Sequence, residues 1–401
     1  EEKLSDVFRL LDGETDDQEI ASHTGSSNFA LLLKYEDKDS LEKRLWDIIE
    51  KLGKTDDHHH FNFHAGVVLL EDAASGKKFK LSNVDLDREY NNACNARIAG
   101  EDNDDSSVYF FDEKLVEDQK WIDSVHESQE KAVENEEFKV YYQPKYDPRT
   151  DELRGAEALI RWISPEFGFV PPGKFIPIFE QNGFITEIDH YMLRHVAKDQ
   201  KKWLDEGYEC VPVSVNISRA HFIENDLADQ IRKIVENEGC PTSLIEIELT
   251  ESAFFDDKKA MLNTISKLQS FGFAVSMDDF GSGYSSLNSL KDLPLDVLKL
   301  DSGFFRDIST DGRGEIVVSE AIRLAKNLNM KIVAEGVEVK EQVDFLASEG
   351  CDMIQGYYYA KPMPGEEYLE KMVRNGIPER EEPTLGERDA DENEQNSPEA
   401  E

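Results

Sequence analysis

Strand-like and helix-like runs alternate from about Phe138 to Val373, and that alternation constrains the fold more than any other feature. Short apolar or alternating runs recur at Phe138–Gln143, Gly155–Trp162, Val211–Ile217, Leu244–Leu249, Phe273–Met277, Val297–Leu300, Lys331–Ala334 and Met353–Tyr359. Between most of them lie amphipathic stretches of helical period, such as Tyr191–Leu204, Leu227–Glu238, Lys259–Phe271, Glu315–Leu328 and Val339–Ser348. Eight strands alternating with helices over roughly 235 residues match the size and rhythm of a (β/α)8 barrel. One connection breaks the rhythm. Only Pro144–Leu153, with the turn signal Asp147-Pro148-Arg149-Thr150-Asp151, joins the first two runs. A parallel crossover needs about a dozen residues or more. The spacing therefore predicts an α/β fold, a modified TIM barrel whose first strand runs antiparallel.

The flanks read differently. Residues 1–111 carry candidate strands at Asn28–Lys34, Phe61–Leu70 and Ser107–Phe111 and helices near Leu41–Leu52 and Leu86–Arg97, the pattern of a small α+β domain. Residues 112–137 read as a charged helical linker with Leu115, Ile122, Val125 and Val133 on one side, followed by the barrel over 138–376. From Pro378 onward ten acids face two arginines, with Leu385 the one sizeable apolar residue, so 377–401 is expected to be a disordered acidic tail. The chain opens on Glu1 rather than Met, as a piece of a longer protein would.

With 85 acidic and 45 basic side chains the chain has a formal charge of −40. That excludes sequence-independent binding of long nucleic acid, which needs surplus Lys and Arg, and disfavours an anionic membrane surface. No run approaches the ~18–20 apolar residues of a spanning helix. Four scattered cysteines without a CxxC pair fit reduced thiols and a cytoplasmic setting for this segment, while a preceding membrane anchor stays open.

In a β/α barrel the reactive groups come from the carboxyl ends of the strands. Here those ends read Glu157 in strand two, Asn216 in strand three, Glu248 with Glu251 in strand four, and Asp278-Asp279 in strand five. Strand six gives Lys299 and Asp301, strand seven Glu335, and strand eight Gln355. A lone strand Glu is usually solvent-facing; six consecutive strands each bringing Asp, Glu, Asn or Lys to one end is the argument. In Leu244–Thr250 the alternation sets Glu246 and Glu248 opposite Ile245, Ile247 and Leu249, so carboxylates point inward if the aliphatics face helices. Several buried carboxylates need counter-charge. An oxygen-rich set without Cys or His selects Mg²⁺ or Mn²⁺ over Zn²⁺. The adjacent Asp278-Asp279 suggests two ions, the arrangement used for in-line phosphodiester hydrolysis. Lys299 fits as the group that orients water or steadies developing charge, and Arg161 as a bidentate phosphate contact. A plain salt bridge from Lys299 to Asp301 is nearly as good a reading of that spacing.

These segments resemble the EAL-domain cyclic di-GMP phosphodiesterases. The resemblance starts near Tyr141-Tyr142-Gln143-Pro144 and runs to about Pro364. It rests on Glu157-Ala158-Leu159, Val215-Asn216-Ile217-Ser218, Glu248-Leu249-Thr250-Glu251-Ser252, Asp278 to Leu287, Lys299-Leu300-Asp301, Ala334-Glu335-Gly336-Val337-Glu338 and Gln355-Gly356-Tyr357. It implies the modified barrel reached above from loop length. It also implies that Glu157, Asn216, Glu248 and Asp278 hold one metal, and that Asp278, Asp279 and Glu335 surround a second. Lys299 would then engage the hydrolytic water and Gln355 the water and metal shell, while Leu159, Arg161, Gln143 and Asp301 would contact substrate. Glu251 would anchor the loop Asp279–Ser286, which in the family couples metal binding to homodimerisation through the barrel; Ser282 replaces that loop's usual Thr. The implied activity is hydrolysis of cyclic di-GMP to linear pGpG, water attacking one phosphorus and the ribose 3′ oxygen leaving, which would regulate the level of this second messenger. A receptor that binds cyclic di-GMP without cutting it, or a scaffold, is the competing expectation. Receptors usually lose a ligand, and none is missing here.

The segment Gly25-Ser26-Ser27-Asn28-Phe29, followed by Ala30 to Leu33, resembles the hairpin of a GGDEF diguanylate cyclase domain with both acidic positions deleted. Too few residues precede Ser22 for that family's first strand and helices, so the domain is either truncated or eroded. It is expected to be non-catalytic, regulatory or dimer-forming. His58-His59-His60 with His64 reads as a polar loop rather than a metal tract. The glycines of Gly281-Ser282-Gly283 lack the spacing of a nucleotide fingerprint.

Overall fold

The computed structural model describes residues 2–54, 61–70, 84–100, 105–223, 226–250, 258–280, 293–304 and 313–374. They form two compact units, Glu1–Glu127 and Ser128–Glu401. The acidic tail, His58-His59-His60, Glu251 and the loop from Gly281 to Ser286 lie outside the described residues.

The first unit runs α1 (Glu2–Gly13), β1 (Ile20–Gly25), β2 (Asn28–Leu32), α2 (Lys38–Gly53), β3 (His64–Val67), α3 (Leu86–Ala99) and β4 (Ser107–Phe110), then enters α4 (Glu113–Glu134). β1 and β2 form an antiparallel hairpin that turns through Gly25–Asn28, and β3 pairs with β4 in parallel. Leu11, Ile48 and Leu52 make its core, with Phe29, Leu31 and Phe63 packed against them. The Asp37 carboxylate caps α2 by accepting from the Ser40 N–H at 2.8 Å, which satisfies one of the free amides of a helix start.

One ion pair ties the base of the hairpin to α2. Arg44 donates from Nη1 and Nη2 to the two oxygens of Glu19, each at 2.7 Å. The N–H groups of Lys34 and Asp16 donate to the same oxygens at 2.8 and 3.1 Å. The Arg44 guanidinium, against the opposing cost of burial and with help from these amides, holds the Glu19 carboxyl down to about 2.

In the second unit the strands are β5 (Phe138–Tyr146), β6 (Leu153–Ser164), β7 (Gly168–Val170), β8 (Val213–Ile217), β9 (Ile245–Thr250), β10 (Ala274–Phe280), β11 (Val297–Leu300), β12 (Lys331–Ala334), β13 (Met353–Ile354) and β14 (Met363–Pro364). The helices include α5 (Ile176–Asn182), α6 (Ile185–Asp205), α7 (Leu227–Asn237), α8 (Lys258–Ser270), α9 (Arg313–Asn327) and α10 (Lys340–Glu349). Strands β6, β8, β9, β10, β11, β12 and β13 are parallel neighbours in that order. β5 closes the ring, antiparallel to both β6 and β13, so the reversed first strand expected from loop length is present. Ile245, Ile247, Leu249 and Glu248 are fully buried and Glu246 nearly so. Both faces of β9 are thus covered, as in any strand of a helix-wrapped barrel.

Three strands differ from the sequence expectation. β7 and β14 are edge pairings of three and two residues, too short to carry a period. The eighth strand, expected to reach Tyr359, stops at Ile354. There the chain turns to interlock with the segment after β12: the Val337 N–H donates to Gln355 O at 3.1 Å and the Tyr358 N–H to Val337 O at 3.0 Å. Gly356 is pressed against that segment so closely that a Cβ would lie 2.1 Å from Val337 O, which no side chain permits.

A carboxyl whose pKa folding depresses stabilises fully above its unfolded value and loses that contribution as pH falls through its folded value. For Glu19 the window runs from 4.5 down to about 2. Glu19→Gln is expected to destabilise the first unit by about 2 kcal/mol at neutral pH, with the difference shrinking to nothing near the acid end of that window. Scanning calorimetry of both proteins at stepped pH checks it.

Candidate active site

The carboxyl ends of the parallel strands gather the expected polar residues around one ammonium. Glu157 stands on β6, Asn216 on β8, Glu248 on β9, Asp278 on β10 and Lys299 on β11; Glu335 directly follows β12 and Gln355 follows β13. Lys299 is 1% exposed. Its Nζ lies 3.3 Å from Glu157 Oε2, 3.0 Å from Asp278 Oδ1 and 2.7 Å from Glu335 Oε1, and it also pairs with Glu248 Oε1. The simpler pairing of Lys299 with Asp301 is not the one formed. Asp301 instead accepts the Gly303 N–H at 2.7 Å.

An amide layer joins these acids to the reversed strand. Gln355 Nε2 donates to Glu157 Oε2 at 2.7 Å and to Gln143 Oε1 at 2.9 Å, and Gln143 Nε2 donates to Ala360 O at 3.2 Å. Asn216 Nδ2 donates to Glu157 Oε1 at 3.2 Å. Leu159 and Arg161 lie two and four residues further along β6, paired across to Tyr141 and Lys139 of β5. The half-buried Arg161 guanidinium sits 5.6 Å from the Tyr141 ring centre and donates to Ile160 O at 2.8 Å. Asp279 shares β10 with Asp278, but its side chain, like Glu251, is outside the described residues.

Crowding sets the electrostatics. Burial pushes the Glu335 carboxyl up to about 8; Lys299 opposes this, and Asp278 and Glu157 add to it. Burial, then Glu157, holds Glu248 well above the ordinary carboxylate range despite Lys299. Burial alone would lower Lys299, yet Glu157, Glu248, Glu335 and Asp278 hold its pKa well above the usual value. One cation is too few for this many acids. Oxygens of Glu157, Glu248 and Glu335 lie within 4.8 Å of one another. Glu248 Oε2 and Gln355 Oε1 are buried with no hydrogen-bond partner among the described residues. An all-oxygen donor set with spare buried lone pairs fits a hard divalent ion.

Alternation had set Glu246 inward, but sequence reasoning missed the partners of its polar tier. Lys145 and Ser214 are 2% and 1% exposed, and Lys145 Nζ donates to Ser214 Oγ at 2.9 Å. Glu246 Oε1 is 3.9 Å from that ammonium. The available signal was period two: Lys145 follows Gln143 by two residues, while Ser214 and Glu246 precede Asn216 and Glu248 by two.

A closed barrel with a reversed first strand and an acid-lined mouth defines a class, and comparison supplies its family. Residues 126–362 match the EAL domain family, and the chain belongs to it. Among curated relatives, it is 35% identical over 279 residues to the bifunctional diguanylate cyclase/cyclic di-GMP phosphodiesterase MucR of Pseudomonas aeruginosa, covering 69% of this chain and 41% of that protein. It is 36% identical over 247 residues to the cyclic di-GMP phosphodiesterase PdeR of Escherichia coli, covering 61% of this chain and 36% of that one. The chain thus spans well under half the length of these relatives. The structure of the Pseudomonas MucR phosphodiesterase in complex with c-di-GMP superposes with a TM-score of 0.58 at 36% identity, covering 61% of this chain and all of that one. No helix among the described residues is long and apolar enough to cross a membrane.

If Lys299 supplies the central positive charge, Lys299→Met should lower the metal-free melting temperature, because breaking a buried charge cluster costs about 3–5 kcal/mol. Mn²⁺ should then raise the melting point of Lys299→Met by more than it raises that of the wild type. Thermal unfolding with and without Mn²⁺ reads both effects.

Proposed function

We propose that this chain hydrolyses cyclic di-GMP to linear pGpG with two bound Mg²⁺ or Mn²⁺ ions. The observation that carries the reading is the convergence of Glu157, Glu248, Asp278 and Glu335 on Lys299 at one end of the barrel. Cyclic di-GMP phosphodiesterase relatives and the c-di-GMP complex of the MucR phosphodiesterase support the substrate. In this reading Glu157, Asn216, Glu248 and Asp278 hold one ion, and Asp278, Asp279 and Glu335 hold the second. The ions, when bound, supply a water acidified to attack at neutral pH and positive charge for the phosphate oxygens.

The chain's own residues do the positioning. Arg161 presents a planar guanidinium to a phosphate, a geometry a point charge lacks. Leu159 and Asp301 line the approach, and Gln143 and Gln355 fix the Glu157 carboxylate through their amides. Lys299, held protonated, steadies the water and the charge that develops as the P–O3′ bond breaks. One phosphodiester is cleaved, leaving a 5′-phosphate on one nucleotide and a protonated 3′ hydroxyl on the other. The first unit, with its GGDEF-like hairpin lacking acids, is regulatory in this reading, and the barrel forms the homodimer.

The purified protein incubated with cyclic di-GMP and Mn²⁺ should yield pGpG by chromatography. Glu157→Ala is expected to lose about 100-fold or more in rate. Absence of product from the wild type, or full activity in the variant, would sink the reading. Binding of cyclic di-GMP without cleavage would identify a receptor instead.

A further inference from the structure

The reversed strand brings a second lysine into the barrel, beneath the mouth. Because β5 runs against its neighbours, Gln143 stands opposite Glu157 while Lys145, two residues on, stands opposite Gly155, one step deeper. Gly155 packs beside the lysine stem: a Cβ there would lie 3.2 Å from Pro212 O and in van der Waals contact with Lys145 at 3.7 and 3.9 Å. The ammonium is anchored on Ser214 Oγ at 2.9 Å. From there it faces Glu246 Oε1 at 3.9 Å and Glu248 Oε2 at 4.0 Å. Both carboxylate oxygens are buried and lack a hydrogen-bond partner among the described residues.

Glu248 therefore lies between two lysines, Lys299 on Oε1 and Lys145 facing Oε2. A divalent ion at the mouth would draw on the carboxylates that Lys299 now holds. Lys145 faces the other oxygen of Glu248, Oε2, at 4.0 Å. We propose that Lys145 is a positioning residue for the metal centre: anchored by Ser214, it fixes the Glu248 carboxylate from below so that Oε1 stays turned to the mouth. The assignment rests on the reading of that mouth as a divalent-cation site. Groups behind metal ligands typically govern affinity through ligand orientation.

The test is Mn²⁺ binding to the full chain by calorimetry, without nucleotide, alongside far-ultraviolet circular dichroism and the cyclic di-GMP assay. Lys145→Met, close in length and uncharged, should weaken Mn²⁺ binding about 10- to 100-fold. Glu246→Gln, which leaves Lys145 in place, should change it by less than about 10-fold. The double variant Lys145→Met/Glu246→Gln separates positioning from mere neutralisation of Glu246. Continued weak binding in the double variant supports the proposal, and recovery of wild-type affinity overturns it. Wild-type affinity in a folded Lys145→Met also overturns it. Should Lys145→Met fail to fold, Ser214→Ala removes the anchor but keeps the charge; weakened Mn²⁺ binding supports the proposal, and unchanged binding overturns it. A wild type that binds Mn²⁺ without cutting cyclic di-GMP defeats the functional reading alone, and weak binding in Lys145→Met then still supports the positioning role. A wild type that binds no Mn²⁺ defeats both.

Discussion

Everything at the barrel mouth depends on the placement of Lys299, a fully buried ammonium shared by four carboxylates. A buried acid without counter-charge costs several kcal/mol and tends to protonate instead. Four of them around one cation leave the cluster short of positive charge, and burial, with the neighbouring acids adding to it, holds the Glu335 and Glu248 carboxyls above the ordinary range. The fold tolerates the arrangement because each acid comes from a different strand of a closed sheet, whose backbone hydrogen bonds keep the carboxylates from moving apart. Stability has been given up at the mouth in exchange for a site that favours cations.

The reversed strand contributes more than closure. A parallel β5 would set its inward residues in the same order as its neighbours and deliver its last polar group to the mouth. Running the other way, it sets Gln143 level with Glu157 and sends Lys145 below. The amide of Gln143 and the ammonium of Lys145 thus reach the acids from a strand that itself carries no acid at the mouth. Gln355 completes the link by bridging Gln143 and Glu157.

The sequence made the barrel legible because its evidence was local: runs of period two, runs of helical period, and one connection too short for a crossover. The mouth residues were legible for a related reason, since from β8 to β13 each polar residue stands within two residues of the carboxyl end of its strand, whereas Glu157 lies inside β6. What escaped was decided at long range. Nothing in Met353–Tyr359 reveals that Gly356 is packed against Val337, so the expected strand was too long. A lysine such as Lys145, flanked by Pro144 and Tyr146 near a turn, reads as a surface residue until the barrel closes over it. In the first unit the hairpin was legible through the resemblance of Gly25–Phe29 to a GGDEF hairpin, whereas the Glu19–Arg44 tie spans 25 positions and leaves no local mark.

The formal charge of −40 takes on a narrower meaning in this light. It argues against a long polyanion lying on a basic surface but says nothing against a small phosphodiester held through cations. One layer below the mouth groups the barrel interior divides. Lys145, Ser214, Glu246 and Ser276 lie on β5, β8, β9 and β10, whereas Val297, Val333 and Met353 form an apolar cluster on β11, β12 and β13. The polar side carries its own cation, and the apolar side needs none. The acids of the mouth therefore rest on a layer that is polar on one side, where Lys145 faces Glu246, and apolar on the other. With its acids outnumbering Lys299 four to one, the mouth is the place in this barrel where further positive charge is needed.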